Sequence, residues 1–200
     1  MAGDEHGRGA ALSRALTGRL LVAAPSLVDP SFAGTVVLVI DADESGALGV
    51  ILNRTSEIEV ASVLPAWAAL CEPLPRVFEG GPVAPENALA LGLLHAAPRI
   101  GQEEPPGWRE VSGAVGLVDL DTEPSVLAGS LAGFRVFAGY AGWGPGQLEG
   151  EIAADAWVVV DATYDDVLPA APEQLWRRVL RRQRGPVSLL SGWTADPTLN

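Results

Sequence analysis

Residues 138–151, AGYAGWGPGQLEGE, are the stretch most suggestive of chemistry: Gly139, Gly142, Gly144 and Gly146 surround Tyr140 and Trp143 just before a helical pattern. Glycines before a helix can cradle phosphate, but the phosphate-binding loop of nucleotide hydrolases also needs a lysine, and this chain contains none. The dinucleotide pattern G-x-G-x-x-G fails as well, because the sixth position is Gln147 counted from Gly142 and Glu149 counted from Gly144. Glu149 and Glu151 already supply negative charge to the first turns of the expected helix, so an added anion there meets repulsion. The stretch is therefore expected to be a sharp bend that folds Tyr140 and Trp143 into the core.

Other constellations are thinner. Asp41-Ala42-Asp43-Glu44-Ser45-Gly46 begins like a calcium loop, yet position 12 is Leu52 where a bidentate glutamate is required, and a hairpin turn accounts for the same residues. No serine sits in G-x-S-x-G, and His95 is the only histidine outside the first 15 residues. Cys71 and His95 would form a thiol pair only if the fold joined them. Two histidines and one cysteine make no zinc set, so neither a metal nor a cofactor is expected. Arg177, Arg178, Arg181 and Arg182 recur at helical spacing, and Leu175, Trp176, Val179 and Leu180 repeat the pattern two residues earlier. Two residues are about 200° of helical rotation, so one face is apolar and the opposite one cationic. That face is either solvated or a dock for an acidic partner, another subunit or nucleic acid.

The elements that must position these residues are mostly strands. Leu20–Ala24, Val36–Ile40, Gly49–Leu52, Arg76–Glu79, Ala88–Leu94, Val115–Val118, Phe134–Ala138 and Trp157–Val160 are short apolar runs. Residues 35–53 read as an antiparallel hairpin covered on both faces. Short helices split at Pro65 are expected in 57–70, with others over Glu123–Ala132, Gln147–Asp155 and Pro172–Gln183, and a long surface loop over 98–113. The first 15 residues read as a loose tail, and 16–200 as one α+β domain whose mixed sheet is flanked by helices.

Composition narrows the partners. Two hundred residues, 48% of them hydrophobic, suit one well-filled core. A net charge of −12 disfavours nucleic acid, except locally through Arg177–Arg184, which holds five of the thirteen basic residues. A single cysteine points to a reducing compartment and hence the cytoplasm. The apolar run after Arg19 is too short for a signal peptide, and no run reaches the ~18 residues of a membrane span. The sequon Asn53-Arg54-Thr55 is then a chance match.

Several segments taken together resemble the bacterial YqgE/AlgH family. They are LVAAPSLVDPSF (21–32), GALGVILNR (46–54), GGPV (80–83), GYAGW (139–143) with GQLE (146–149) and Glu151-Ile152, and Trp157, spanning about residues 18–185. The resemblance implies a single α+β domain with a mixed, partly barrel-like sheet, in a family mostly without a known biochemical activity, some of whose members bear the label of transcriptional regulator. Two departures stand out: Asp41-Ala42-Asp43 replaces a frequent histidine and Thr55 a frequent proline. These segments make Asn53, Arg54, Glu79, Gly80, Gly81, Tyr140, Trp143 and Gln147 the ligand-binding candidates, and the helix makes Arg177, Arg178, Arg181 and Arg182 the partner-binding ones. If the former line an open groove, Arg54 can clamp a carboxylate or phosphate while Trp143 stacks. If they form a buried polar network, Arg54 and Glu79 pair to fix the sheet. The leading expectation is a cytosolic, non-catalytic binding or regulatory module for a protein or small molecule. The alternatives are an enzyme using Glu79 or His95, and a docking or DNA-binding protein working through the arginine helix.

Overall fold

The computed structural model describes residues 15–71, 73–99 and 101–193; the expected tail, residues 1–15, lies outside them but for its last residue. Ten strands form one sheet: β1 (Arg19–Ala23), β2 (Val36–Asp43), β3 (Gly46–Ile51), β4 (Thr55–Glu59), β5 (Arg76–Glu79), β6 (Val83–Leu94), β7 (Trp108–Ser112), β8 (Val115–Val118), β9 (Leu131–Trp143) and β10 (Trp157–Asp161). Their order is β10-β1-β2-β3-β9-β6-β8-β7, with β5 lying parallel to β9 and β4 pairing with β5. The other pairings are antiparallel, so the sheet is mixed as expected. It curls into a half-barrel. Gly18, ahead of β1, comes against the Ser112 side chain at the end of β7, where an added Cβ would lie 2.5 Å from the Ser112 Cβ.

Alternation of side chains explains why the apolar runs are continuous. In β1, Leu20 and Val22 point into the curl while Leu21 and Ala23 point outward, and all four are buried. The inside is plugged by helix α5 (Leu175–Arg181), whose Leu175, Trp176, Val179 and Leu180 meet Leu38, Phe78, Leu91 and Phe137 from the sheet. One outer face is covered by helix α1 (Val60–Val63) and a 3₁₀ turn (Pro65–Cys71), split at the proline as expected, although the first residues of the expected helix, 57–59, belong to β4, which pairs with β5. The other outer face lies under helix α3 (Gln147–Ala153) and the loop between β1 and β2. Three short helices complete the set: α2 (Pro124–Leu127), α4 (Tyr164–Val167) and α6 (Pro186–Leu189). None of the described helices is long and apolar enough to cross a membrane.

Three local expectations are corrected. The helix expected over 123–132 shrinks to α2, because Leu131–Gly133 is recruited into β9 opposite Leu93 and Leu94. The loop expected over 98–113 ends early: Trp108–Ser112 becomes β7, paired with β8, with the Trp108 indole buried and donating to the Gly92 carbonyl at 3.0 Å. The glycine-rich stretch does bend, but the chain reverses only in its second half. β9 continues past Gly139 and Gly142 to Trp143, pairing Ala141–Trp143 with Ala47–Gly49 of β3. Gly139 (φ 68°) makes a kink there, since a Cβ would sit 2.7 Å from the carbonyl oxygens of Gly81 and Val83. The reversal comes at Gly144-Pro145-Gly146, where Gly146 (φ 71°) opens α3.

Candidate functional site

The turn folds α3 back beneath the end of β9, which brings Glu151 to two tryptophans. Its Oε2 accepts hydrogen bonds from the indole of Trp143 at 2.9 Å and from that of Trp157 at 2.8 Å, and its Oε1 accepts from the Gln147 amide at 3.0 Å. Gln147 Oε1 in turn accepts from the Gly144 N–H at 3.0 Å, which closes the turn. Trp143 is only 5% exposed, so its face is not a platform for a ligand. Phe32, from the β1–β2 loop, covers the pair: it stacks on Trp143 at 6.0 Å between ring centroids and meets Trp157 edge-on at 5.5 Å.

The same loop is held from the other side by the Asn-Arg pair. Asn53 Nδ2 donates to the Gly34 carbonyl at 2.9 Å, and its Oδ1 accepts from the Val36 N–H at 2.9 Å. The Arg54 guanidinium donates to the carbonyl oxygens of Pro30 at 2.9 Å and Ala33 at 3.3 Å. Buried Thr35 donates its hydroxyl to the Phe32 carbonyl at 2.7 Å, and Asp29 Oδ1 accepts from the Ser31 N–H at 2.7 Å. Residues 24–35 are thus a loop with many fixed points. Its unfixed side faces solvent: Val28 is 80% exposed. There the loop walls a hollow of about 480 Å³ with Pro25, Leu27 and Val28 on one side and Trp176, Arg177 and Trp193 on the other. The Trp176 indole donates to the Ala23 carbonyl at 2.8 Å and so ties α5 to the root of the loop.

The other predicted residues are placed as follows. Glu79 is exposed, and its backbone N–H donates to the Arg54 carbonyl at 2.9 Å; the Arg54 side chain goes to the loop carbonyls and not to the Glu79 carboxylate. Gly80 and Gly81 lie against Gly139 and Tyr140, with Tyr140 half-buried. The four arginines divide into two pairs. Arg178 and Arg182 turn inward to Asp166, which is 1% exposed: Arg182 is hydrogen-bonded to it, Arg178 lies 3.7 Å away, and the Thr163 hydroxyl and N–H also donate to it. Arg177 donates to the Trp193 carbonyl at 3.4 Å, and Arg181 has no ion pair or hydrogen bond among the described residues. Cys71 is buried beside Trp67, whereas His95 is exposed beyond the end of β6. Among the described residues no three His, Cys, Asp or Glu side chains are grouped to hold a metal.

Sequence reasoning missed Asp166, the binding of both indoles to Glu151, and Arg135. Arg135 is 4% exposed on the inner side of β9, with its guanidinium 4.3 Å from the centre of the Phe78 ring and donating to the Pro169 carbonyl at 3.2 Å. Its Nε has no hydrogen-bond partner among the described residues, and burial pushes its pKa down to about 10, with nearby Cys71 acting the other way. A cation between Phe134 and Val136 in a strand is visible in sequence, but alternation alone does not say that its side is enclosed.

Comparison with known proteins agrees with this architecture. Residues 20–188 match the AlgH-like family. A UPF0301 protein of Streptomyces coelicolor is 50% identical over 185 residues, covering 92% of this chain and 95% of the relative. One from Mycobacterium tuberculosis is 44% identical over 192 residues, 95% and 93% of the two chains. A crystal structure of a Corynebacterium diphtheriae protein superposes with a TM-score of 0.83 at 31% identity, over 88% of this chain and 91% of that one. The solution structure of AlgH from Pseudomonas aeruginosa does so with a TM-score of 0.65 at 25% identity, over 90% and 95%.

Proposed function

Since the chain belongs to the AlgH-like family, we propose that it is a cytosolic, non-catalytic binding module whose binding element is the loop of residues 24–35. One observation carries this: Asn53, Arg54, Trp143 and Trp157, from segments far apart in sequence, converge on that loop. Asn53 and Arg54 hold its carbonyls, and Phe32 is seated on the Glu151-linked tryptophans. The arrangement leaves an apolar, solvent-facing edge at Leu27 and Val28. Ordering an exposed loop costs about 1–2 kcal/mol per residue in backbone entropy, and a loop ordered before its partner arrives spares the complex that cost. Of the titratable side chains in these segments, Arg54 and Glu151 are engaged with the protein itself, while His95 lines a separate open hollow beyond β6. Any regulatory role is then exerted through a protein partner.

In-cell photocrosslinking tests the reading. With p-benzoylphenylalanine in place of Val28, irradiation is expected to give discrete adducts that are absent when the probe replaces Glu79 or His95. Adducts at position 79 or 95 with none at 28 would overturn it.

A further inference from the structure

We infer that the hollow beside this loop takes a short peptide segment of a partner protein in which an apolar anchor is flanked by acidic side chains. The inference rests on the binding-module reading and adds the chemistry of the partner.

The apolar half of the argument is the lining. Leu27 and Val28 face Trp176 and Trp193 across the hollow, and Trp193 is 41% exposed, an indole that a partner side chain would cover. A volume of about 480 Å³ falls within the usual range of roughly 300–1,000 Å³ for ligand hollows. The acidic half comes from how α5 distributes its arginines. Arg178 and Arg182 answer Asp166 inside the molecule, and the two oxygens of the Asp166 carboxylate are taken up by them and by Thr163. Arg177 and Arg181, one turn apart on another side of the helix, face no carboxylate among the described residues. Arg177 stands at the lip of the hollow, with one contact to the Trp193 carbonyl and no other side-chain partner for its planar donor fork among the described residues. In a chain of net charge −12, such a cationic lip beside an apolar hollow selects strongly for partner charge. Nucleic acid fits less well: two of the four helix arginines are already neutralised, and the walls of the hollow are aliphatic and aromatic rather than basic.

The test is selection from a phage-displayed library of random 12-residue peptides on the immobilised full chain, with Val28→Asp and Arg177→Glu as parallel targets. Both positions are on the surface, and unchanged circular dichroism and melting temperature would verify that the variants fold. The expected result is enrichment of peptides with a Leu, Ile, Phe or Trp within three residues of Asp or Glu. A synthetic version of the leading peptide should bind at least tenfold more weakly to either variant and to wild type at 0.5 M salt, and about as well to Arg178→Lys. Enriched peptides without acidic residues, still lost on Val28→Asp, would overturn the charge requirement and leave the binding-module reading standing. Absence of any enrichment sensitive to Val28→Asp would overturn both. A homodimer in solution that dissociates on Val28→Asp would assign the hollow to a second copy of the chain, and would also overturn the inference.

Discussion

Replacing Glu151 with alanine should damage the protein far more than its half-buried surface position suggests. The carboxylate accepts three hydrogen bonds, two of them from indoles whose rings, Trp143 and Trp157, are nearly inaccessible to water. Hydrogen bonds to a charged group contribute about 1.5–3 kcal/mol each, and a buried donor left without a partner costs about 1–3 kcal/mol. The rim of the site is open enough for water to reach part of the vacated space, so the expected loss is about 3–4 kcal/mol rather than the full sum of those contributions. For a domain of this size that is a fall in melting temperature of roughly 10 °C. Glu151→Gln keeps one carbonyl oxygen to accept from both indoles but turns an amide toward the Gln147 amide, so it should cost only about 1–2 kcal/mol. The assay is urea unfolding followed by far-ultraviolet circular dichroism, which avoids the tryptophan signal that the variants themselves alter. In a Trp143→Phe background the Glu151→Ala loss should shrink by about 1–2 kcal/mol, because one of the donors it would orphan is gone. A Glu151→Ala loss below about 1 kcal/mol, or strict additivity with Trp143→Phe, would refute the account of the corner as a tryptophan seat. Because Phe32 rests on both rings, Glu151→Ala should also weaken peptide binding at the hollow.

Arg182→Ala should cost about 2–4 kcal/mol, since it removes the closest cation from an Asp166 carboxylate that is almost fully buried, while Arg181→Ala should stay within about 0.5 kcal/mol. Equal losses in urea unfolding would refute the division of the helix into inward and outward arginine pairs. Arg135→Met should raise stability by about 1 kcal/mol at pH 7, because a pKa pushed down to about 10 by burial means that the folded state disfavours the charged form. Above about pH 10 the folded chain gives up this proton while the unfolded chain, at the ordinary arginine value, still holds it. Wild-type stability at this group therefore recovers as pH rises, and the advantage of the Arg135→Met variant narrows over the same window. Destabilisation by more than about 2 kcal/mol in Arg135→Met would show that the contacts with Phe78 and Pro169 outweigh the burial cost.

What the sequence discloses and what it withholds divide along the range of the interactions involved. Runs such as Leu20–Ala23 and Val36–Ile40 announce strands covered on both faces, and β5 and β8 are legible to the residue, because β-branched apolar runs are a local signal. The α+β class and the family resemblance, read over residues 18–185 against a match over 20–188, are equally legible. Residues 139–143 mislead for the opposite reason. Their glycines favour a bend locally, but β3 and β6 lie on either side of them and hold the chain extended, so non-local pairing outweighs local preference. The arginine helix shows the same limit. Spacing separates its apolar from its cationic face, but only the return of α4 to α5 reveals that Asp166 waits beneath two of the four charges.

The corner itself carries the argument furthest. A phosphate cradle needs free amides and a cation at a helix start. Here Gln147 accepts from the Gly144 amide, and the helix supplies an anion that its own tryptophans bind. Gly144-Pro145-Gly146 is therefore needed for the reversal that sets Glu151 under Trp143, and the spacing of Trp143, Glu151 and Trp157 becomes intelligible only once that reversal has been made. The polar signature is built inward, toward the loop it supports, which is why the surface that remains to meet a partner is the apolar edge at Leu27 and Val28 with Arg177 across from it.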